Sequence, residues 1–67
     1  MKELTRRENE VAKLVATGAS NADIAVVTGI RPSTVKAHIV NIFNKLRITN
    51  RTQLAIRYNQ EEASNVR

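Results

Sequence analysis

The 67-residue chain has no cysteine and no tryptophan, and Phe43 and Tyr58 are its only aromatic residues. Without thiols it forms neither disulfides nor thiolate metal sites, a pattern that fits the cytoplasm. Two aromatics are too few for the stacking platforms that hold single-stranded nucleic acid. No apolar run approaches the roughly 20 residues that cross a bilayer, and the first residues do not pattern as a signal peptide. No membrane partner is therefore expected. With one proline and two glycines, the chain has few turn sites and nothing resembling an interdomain linker, a repeat or a low-complexity segment. A chain this short holds one domain at most, with a small core.

Acid is missing too, but only from part of the chain. Glu3, Glu8, Glu10 and Asp23 come early, Glu61 and Glu62 come late, and nothing acidic lies from Ile24 to Gln60. That stretch carries Arg31, Lys36, Lys45, Arg47, Arg51, Arg57 and His38 within a chain of formal charge +5. A segment presenting only positive charge is suited to a polyanion, and double-stranded DNA is the leading candidate.

Caps and hydrophobic spacing predict four helices. Thr5 to Glu8 reads as a capping box, after which Leu4, Val11, Leu14 and Val15 share a face and Gly18 supplies a left-handed stop. Ser20 caps a second helix with Asp23 three residues on; Ile24, Ala25 and Thr28 form its inner face, and Gly29 ends it. Pro32 suits the first turn of a third helix, with Ile30 and Val35 placed to staple its start. Asn50 to Gln53 opens a fourth in the same capping style, running to about Gln60. The expected architecture is an all-α, compact four-helix bundle containing a helix-turn-helix over residues 1–60, followed by a frayed tail over 61–67.

In the third helix Val35, Ile39, Ile42, Phe43 and Leu46 fall on one stripe at about 100° per residue, so they form its core face. Ser33, Ala37, Val40 and Asn44 lie opposite, with Lys36 and Asn41 on the shoulders. That outer face is small and uncharged at its centre, as a helix must be to approach base edges in a major groove. The base-reading set is Ser33, Lys36, Ala37, Val40 and Asn41. Lys36 suits guanine O6/N7, Asn41 suits adenine, and the methyls of Ala37 and Val40 suit thymine methyls. Ala37 and Val40 read equally well as tolerated surface residues. Ser20, Asn21 and Thr34 sit at helix starts, where amides and hydroxyls favour phosphate. Lys45 and Arg51 complete the phosphate set. Arg51 is equally suited to bridge the third and fourth helices, and Glu8 can pair with Lys45 besides capping.

The segments LTRRENEVAKLVATGASNADIA, TVKAHIVNIFNKL and NRTQLA together resemble the LuxR-type helix-turn-helix domain of bacterial transcription regulators. The similarity covers Leu4 to Tyr58. It implies a four-helix bundle whose third helix reads the major groove and whose fourth pairs protomers. Four positions depart from the pattern. Thr28 stands where leucine is usual, which weakens the core beside the turn, with Val27 available to fill part of the space. Arg31 replaces a usual serine N-cap, at about 1 kcal/mol. Arg47 replaces glycine or asparagine and would be strained in a left-handed backbone, unless the turn there differs. Val26 is apolar where a charge is common. These departures bear on stability rather than on the DNA-facing residues.

Other function classes have weaker support. His38 has no second histidine and no cysteine to make a metal site, and it reads as a residue at the core edge. No nucleophile, base and orienting group share a readable arrangement, so no enzyme, cofactor or metal is expected. A protein-interaction module is the alternative reading, because Leu54, Ala55, Ile56 and Tyr58 offer the fourth helix more apolar surface than one small core needs. One reading helix covers few base pairs, so a homodimer on a two-half-site operator is expected, through Thr52 and Ile56. The contact is small enough for pairing to await DNA.

Overall fold

Most helix boundaries fall where the chain supplies a cap or a turn. The computed structural model describes residues 1–65, with side chains as far as residue 63. Its elements are α1 (Arg6–Ala16), α2 (Asn21–Thr28), α3 (Pro32–Leu46) and α4 (Arg51–Asn65). Among the described residues there is no strand, and the architecture is the expected all-α bundle.

Thr5 Oγ1 accepts from the Glu8 amide at 3.1 Å while Glu8 Oε1 accepts from the Thr5 amide at 2.9 Å. Ser20 and Asp23 repeat this reciprocal cap on α2, at 3.1 and 3.3 Å. On α4 the cap is displaced. Asn50 Oδ1 accepts from the Gln53 amide at 2.8 Å, but the Gln53 carboxamide oxygen takes the Thr49 amide, also at 2.8 Å.

The stops are equally local. Gly18, at φ 90°, donates to the Val15 carbonyl, and Ala19 donates to the Leu14 carbonyl, the paired bonds of a Schellman motif. Gly29 closes α2 at φ 75°. α3 starts on Arg31 with no side-chain cap and ends on Arg47 at φ 56°, ψ 47°, a left-handed arginine as the sequence implied.

Val11, Ala12, Ile24, Val35, Ile42 and Leu54 are completely buried, and Leu4, Val15, Ala25, Ile39 and Leu46 complete the core. α1 is the hub: it packs on α4 and α3 and touches α2, while α2 lies against α3. This arrangement turns the apolar stripe of α3 inward and leaves its opposite face in water. No described helix is long and apolar enough to cross a membrane.

One expectation needs correction. α4 does not end near Gln60 but continues to Asn65. Tyr58 donates to Glu62 Oε1 at 3.0 Å, an i,i+4 tie that supports the extra turn. Of the tail expected to fray, residues 61–65 are therefore helical, and 66 and 67 lie outside the described residues. Val27, expected to fill part of the space beside Thr28, lines the same groove but stays 67% exposed, and so covers it only in part. Thr28 is half-buried, and its hydroxyl donates to the Ile24 carbonyl at 2.6 Å. The helix itself thus satisfies the polar group that replaces leucine.

Candidate nucleic-acid interface

Burial divides α3 as its periodicity requires. Val35, Ile39, Ile42 and Leu46 are buried and Phe43 is half-buried, whereas Ser33, Thr34, Lys36, Ala37, Val40, Asn41 and Asn44 are exposed. The five expected base-reading residues therefore share one solvent face. Val40 is 49% exposed, an apolar group held in water at the centre of that face. Lys36 has no acidic partner among the described residues.

The far end of α3 is fixed by an ion pair. Lys45 Nζ lies 2.6 Å from Glu8 Oε1, whose side chain is 5% exposed against 39% for Lys45. Burial pushes the Glu8 carboxyl up, but hydrogen bonds from Lys45 and the Thr5 amide, with the charge of Lys45, outweigh it and hold the group below its ordinary value. Lys45 is thus a tie from α3 to the start of α1.

Of the expected phosphate residues, Asn21 and Arg51 are joined directly. Arg51 Nη1 donates to Asn21 Oδ1 at 2.6 Å, and Nη2 donates to the Ala19 carbonyl at 2.8 Å. Arg51 therefore bridges α4 to the start of α2, not α3 to α4. Asn21 Oδ1 is engaged, which leaves Nδ2 as the donor this side chain can offer. Ser20 is exposed while its hydroxyl oxygen caps α2, and Thr34 is exposed in the first turn of α3.

On α4, Leu54 is fully buried and Ala55 and Tyr58 are half-buried. Thr52 is exposed and Ile56 is 53% exposed, and their i,i+4 spacing puts them on one face. His38 is half-buried at the core edge. No group of three or more metal-ligating side chains occurs among the described residues.

Two residues with positioning roles escaped the sequence reading. Arg7 Nη1 donates to the Thr28 carbonyl at 3.4 Å while pairing with Glu10 at 3.2 Å, tying α1 to the end of α2. Asn9 Nδ2 donates to the Leu4 and Thr5 carbonyls, fixing the approach to α1. Both bind backbone carbonyls, which leave no mark in side-chain spacing.

Residues 2–58 match the model of the family described as bacterial regulatory proteins, luxR family. The chain belongs to that family. The luxR-family domain is 43% identical over 60 residues to a protein of Bacillus subtilis (strain 168) named "Uncharacterized transcriptional regulatory protein YhcZ", covering 85% of this chain and 28% of that protein. It is 47% identical over 53 residues to "Response regulator protein VraR" of Staphylococcus aureus (strain Mu3 / ATCC 700698), and equally to the protein of that name from Staphylococcus epidermidis (strain ATCC 35984 / DSM 28319 / BCRC 17069 / CCUG 31568 / BM 3577 / RP62A). Both matches cover 79% of this chain and 25% of the relative. The chain thus spans about a quarter of the length of the curated relatives it matches. The family is one of regulatory proteins rather than enzymes, and the relatives that this chain resembles are named as a transcriptional regulatory protein and as response regulators.

Proposed function

We propose that the domain reads double-stranded DNA by laying α3 in the major groove. Ser33, Lys36, Ala37, Val40 and Asn41 then meet the base edges. The observation that carries this reading is the outer face of α3: exposed, free of charge along its centre, and flanked by a lysine with no acidic partner among the described residues. A centrally charged face would hold the helix away from the bases; this one permits close approach.

Ser20, Asn21 and Thr34 contact phosphates on either side of the groove. Lys45 and Arg51 serve the same backbone in two ways. Their bonds to Glu8, Asn21 and Ala19 hold α3 and α2 in register, and their remaining donors and charge attract phosphate. Two domains pair through Thr52 and Ile56 of α4, so that two reading helices address two half-sites of one operator in the cytoplasm. The small contact is completed on DNA.

Selection of bound sequences from a random duplex pool tests the reading. The selected sites should converge on a motif with two related halves at fixed spacing. Recovery of sequences with no shared motif would remove base reading from the account.

A further inference from the structure

Two arginines flank α3 at backbone positions that suit arginine poorly. Arg31 is the N-cap and makes no side-chain cap, although a serine or aspartate there would satisfy a first-turn amide. Arg47 closes the helix at φ 56°, ψ 47°, a conformation that favours glycine or asparagine. Both choices weaken the fold, and among the described residues neither guanidinium makes a hydrogen bond or an ion pair. Arg31 and Arg47 are exposed, and neither has an acidic partner among the described residues. Three other cations of the acid-free stretch are engaged internally: Lys45 by Glu8, Arg51 by Asn21 and the Ala19 carbonyl, and Arg57 by Glu3 at 3.9 Å.

We propose that Arg31 and Arg47 are phosphate anchors, one at each end of the reading helix, retained at the expense of helix capping. The proposal rests on α3 occupying the major groove. A 15-residue helix is roughly 22 Å long, and the groove is only about 12 Å wide and curves away from a straight rod. Arg31 and Arg47 sit just outside the two ends of α3 and so bracket the reading face of Ser33 to Asn41, towards the phosphate walls. A long, unpaired guanidinium at each end supplies a bidentate donor there. Neither residue reads bases, so both act on every sequence alike.

The assay combines thermal melting of the free domain with duplex binding across a salt series, on a selected site and on an unrelated duplex. Arg31→Ser and Arg47→Gly should each melt at or above the parent temperature. Each should also flatten the slope of log K against log salt by about 0.9, and the double variant by about 1.8. One lost contact of that kind is roughly eightfold in affinity near 0.1 M salt. The loss should be equal on the two duplexes. Arg31→Lys and Arg47→Lys should keep the slope. Lys13→Gln, which removes an exposed cation from α1, should move it far less than either arginine variant. Unchanged slopes for Arg31→Ser and Arg47→Gly, while the parent still binds and discriminates, would overturn the anchors alone. A parent that binds no duplex would overturn the anchors together with the groove reading.

Discussion

Replacing Lys45 with alanine tests how far its bond to Glu8 holds the reading helix in place. In the folded domain Glu8 is almost wholly buried and receives the lysine ammonium at 2.6 Å. Removing that partner strands a carboxylate that still accepts from the Thr5 amide. An exposed pair contributes about 0–1 kcal/mol, and breaking a fully buried one costs about 3–5 kcal/mol. Lys45 is 39% exposed, so the loss falls between, at about 2 kcal/mol. For a domain of this size that lowers the melting midpoint by roughly 8–16 °C. A domain this small is stabilised by only about 3–10 kcal/mol in total, so the effect is large but does not unfold it at room temperature.

The dependence on pH follows from the same pair. The unfolded chain titrates Glu8 near 4.5, and the folded domain titrates it lower. The stabilisation is therefore complete above the unfolded value and is lost as pH falls through the lower folded value. In the alanine variant burial is opposed only by the bonds to Thr5, so its carboxyl protonates earlier. The gap between parent and variant should be widest near neutral pH and close on acidification below 4.5. Melting curves from neutral to acid pH provide the check. Equal midpoints at neutral pH, or a gap that acid leaves unchanged, would refute the reasoning.

Other substitutions probe separate parts of the domain. Thr28→Leu should raise the melting midpoint by several degrees, or about 0.5–1 kcal/mol. The side chain lies in a groove of about 320 Å³ with Leu14 and Val27, and the hydroxyl lost serves only its own helix; a lower midpoint would show that the groove rejects the larger group. Arg51→Ala should cost about 1–2 kcal/mol, because it strands the Ala19 carbonyl and frees Asn21, and calorimetry showing no loss would remove the bridge from the fold's support. Ile56→Glu should leave the circular dichroism spectrum and single half-site binding intact while reducing cooperativity on a two-half-site duplex; undiminished cooperativity would move the dimer contact off α4.

Much of this was legible because the signals are local. Thr5 with Glu8, Ser20 with Asp23, and the two glycines act within four residues, so the starts of α1 and α2 and their stops follow from the chain alone. The partition of α3 into core and reading faces follows from one helical period. The end of α4 was missed because no breaker marks it: Glu61 and Glu62 read as a polar tail until the Tyr58 hydroxyl bond is seen. The environment of Thr28 was missed because a hydroxyl at an inner position can turn back onto its own helix. Of the two readings open for Arg51, the bridge proves to reach α2 rather than α3, since residues 30 positions apart meet through tertiary packing, which sequence spacing does not encode. Nor does side-chain pattern show which cations the fold consumes, and this separates Lys36 from Lys45.

The measurement that bears most directly on the central claim is the binding of Lys36→Ala to a selected duplex and to single-base-pair variants of it, at fixed salt. If α3 reads the groove, discrimination should fall by about 1–3 kcal/mol at particular base pairs and persist at the others. A loss spread evenly over all duplexes, or no loss at all, would contradict the assignment of α3 as the reading helix.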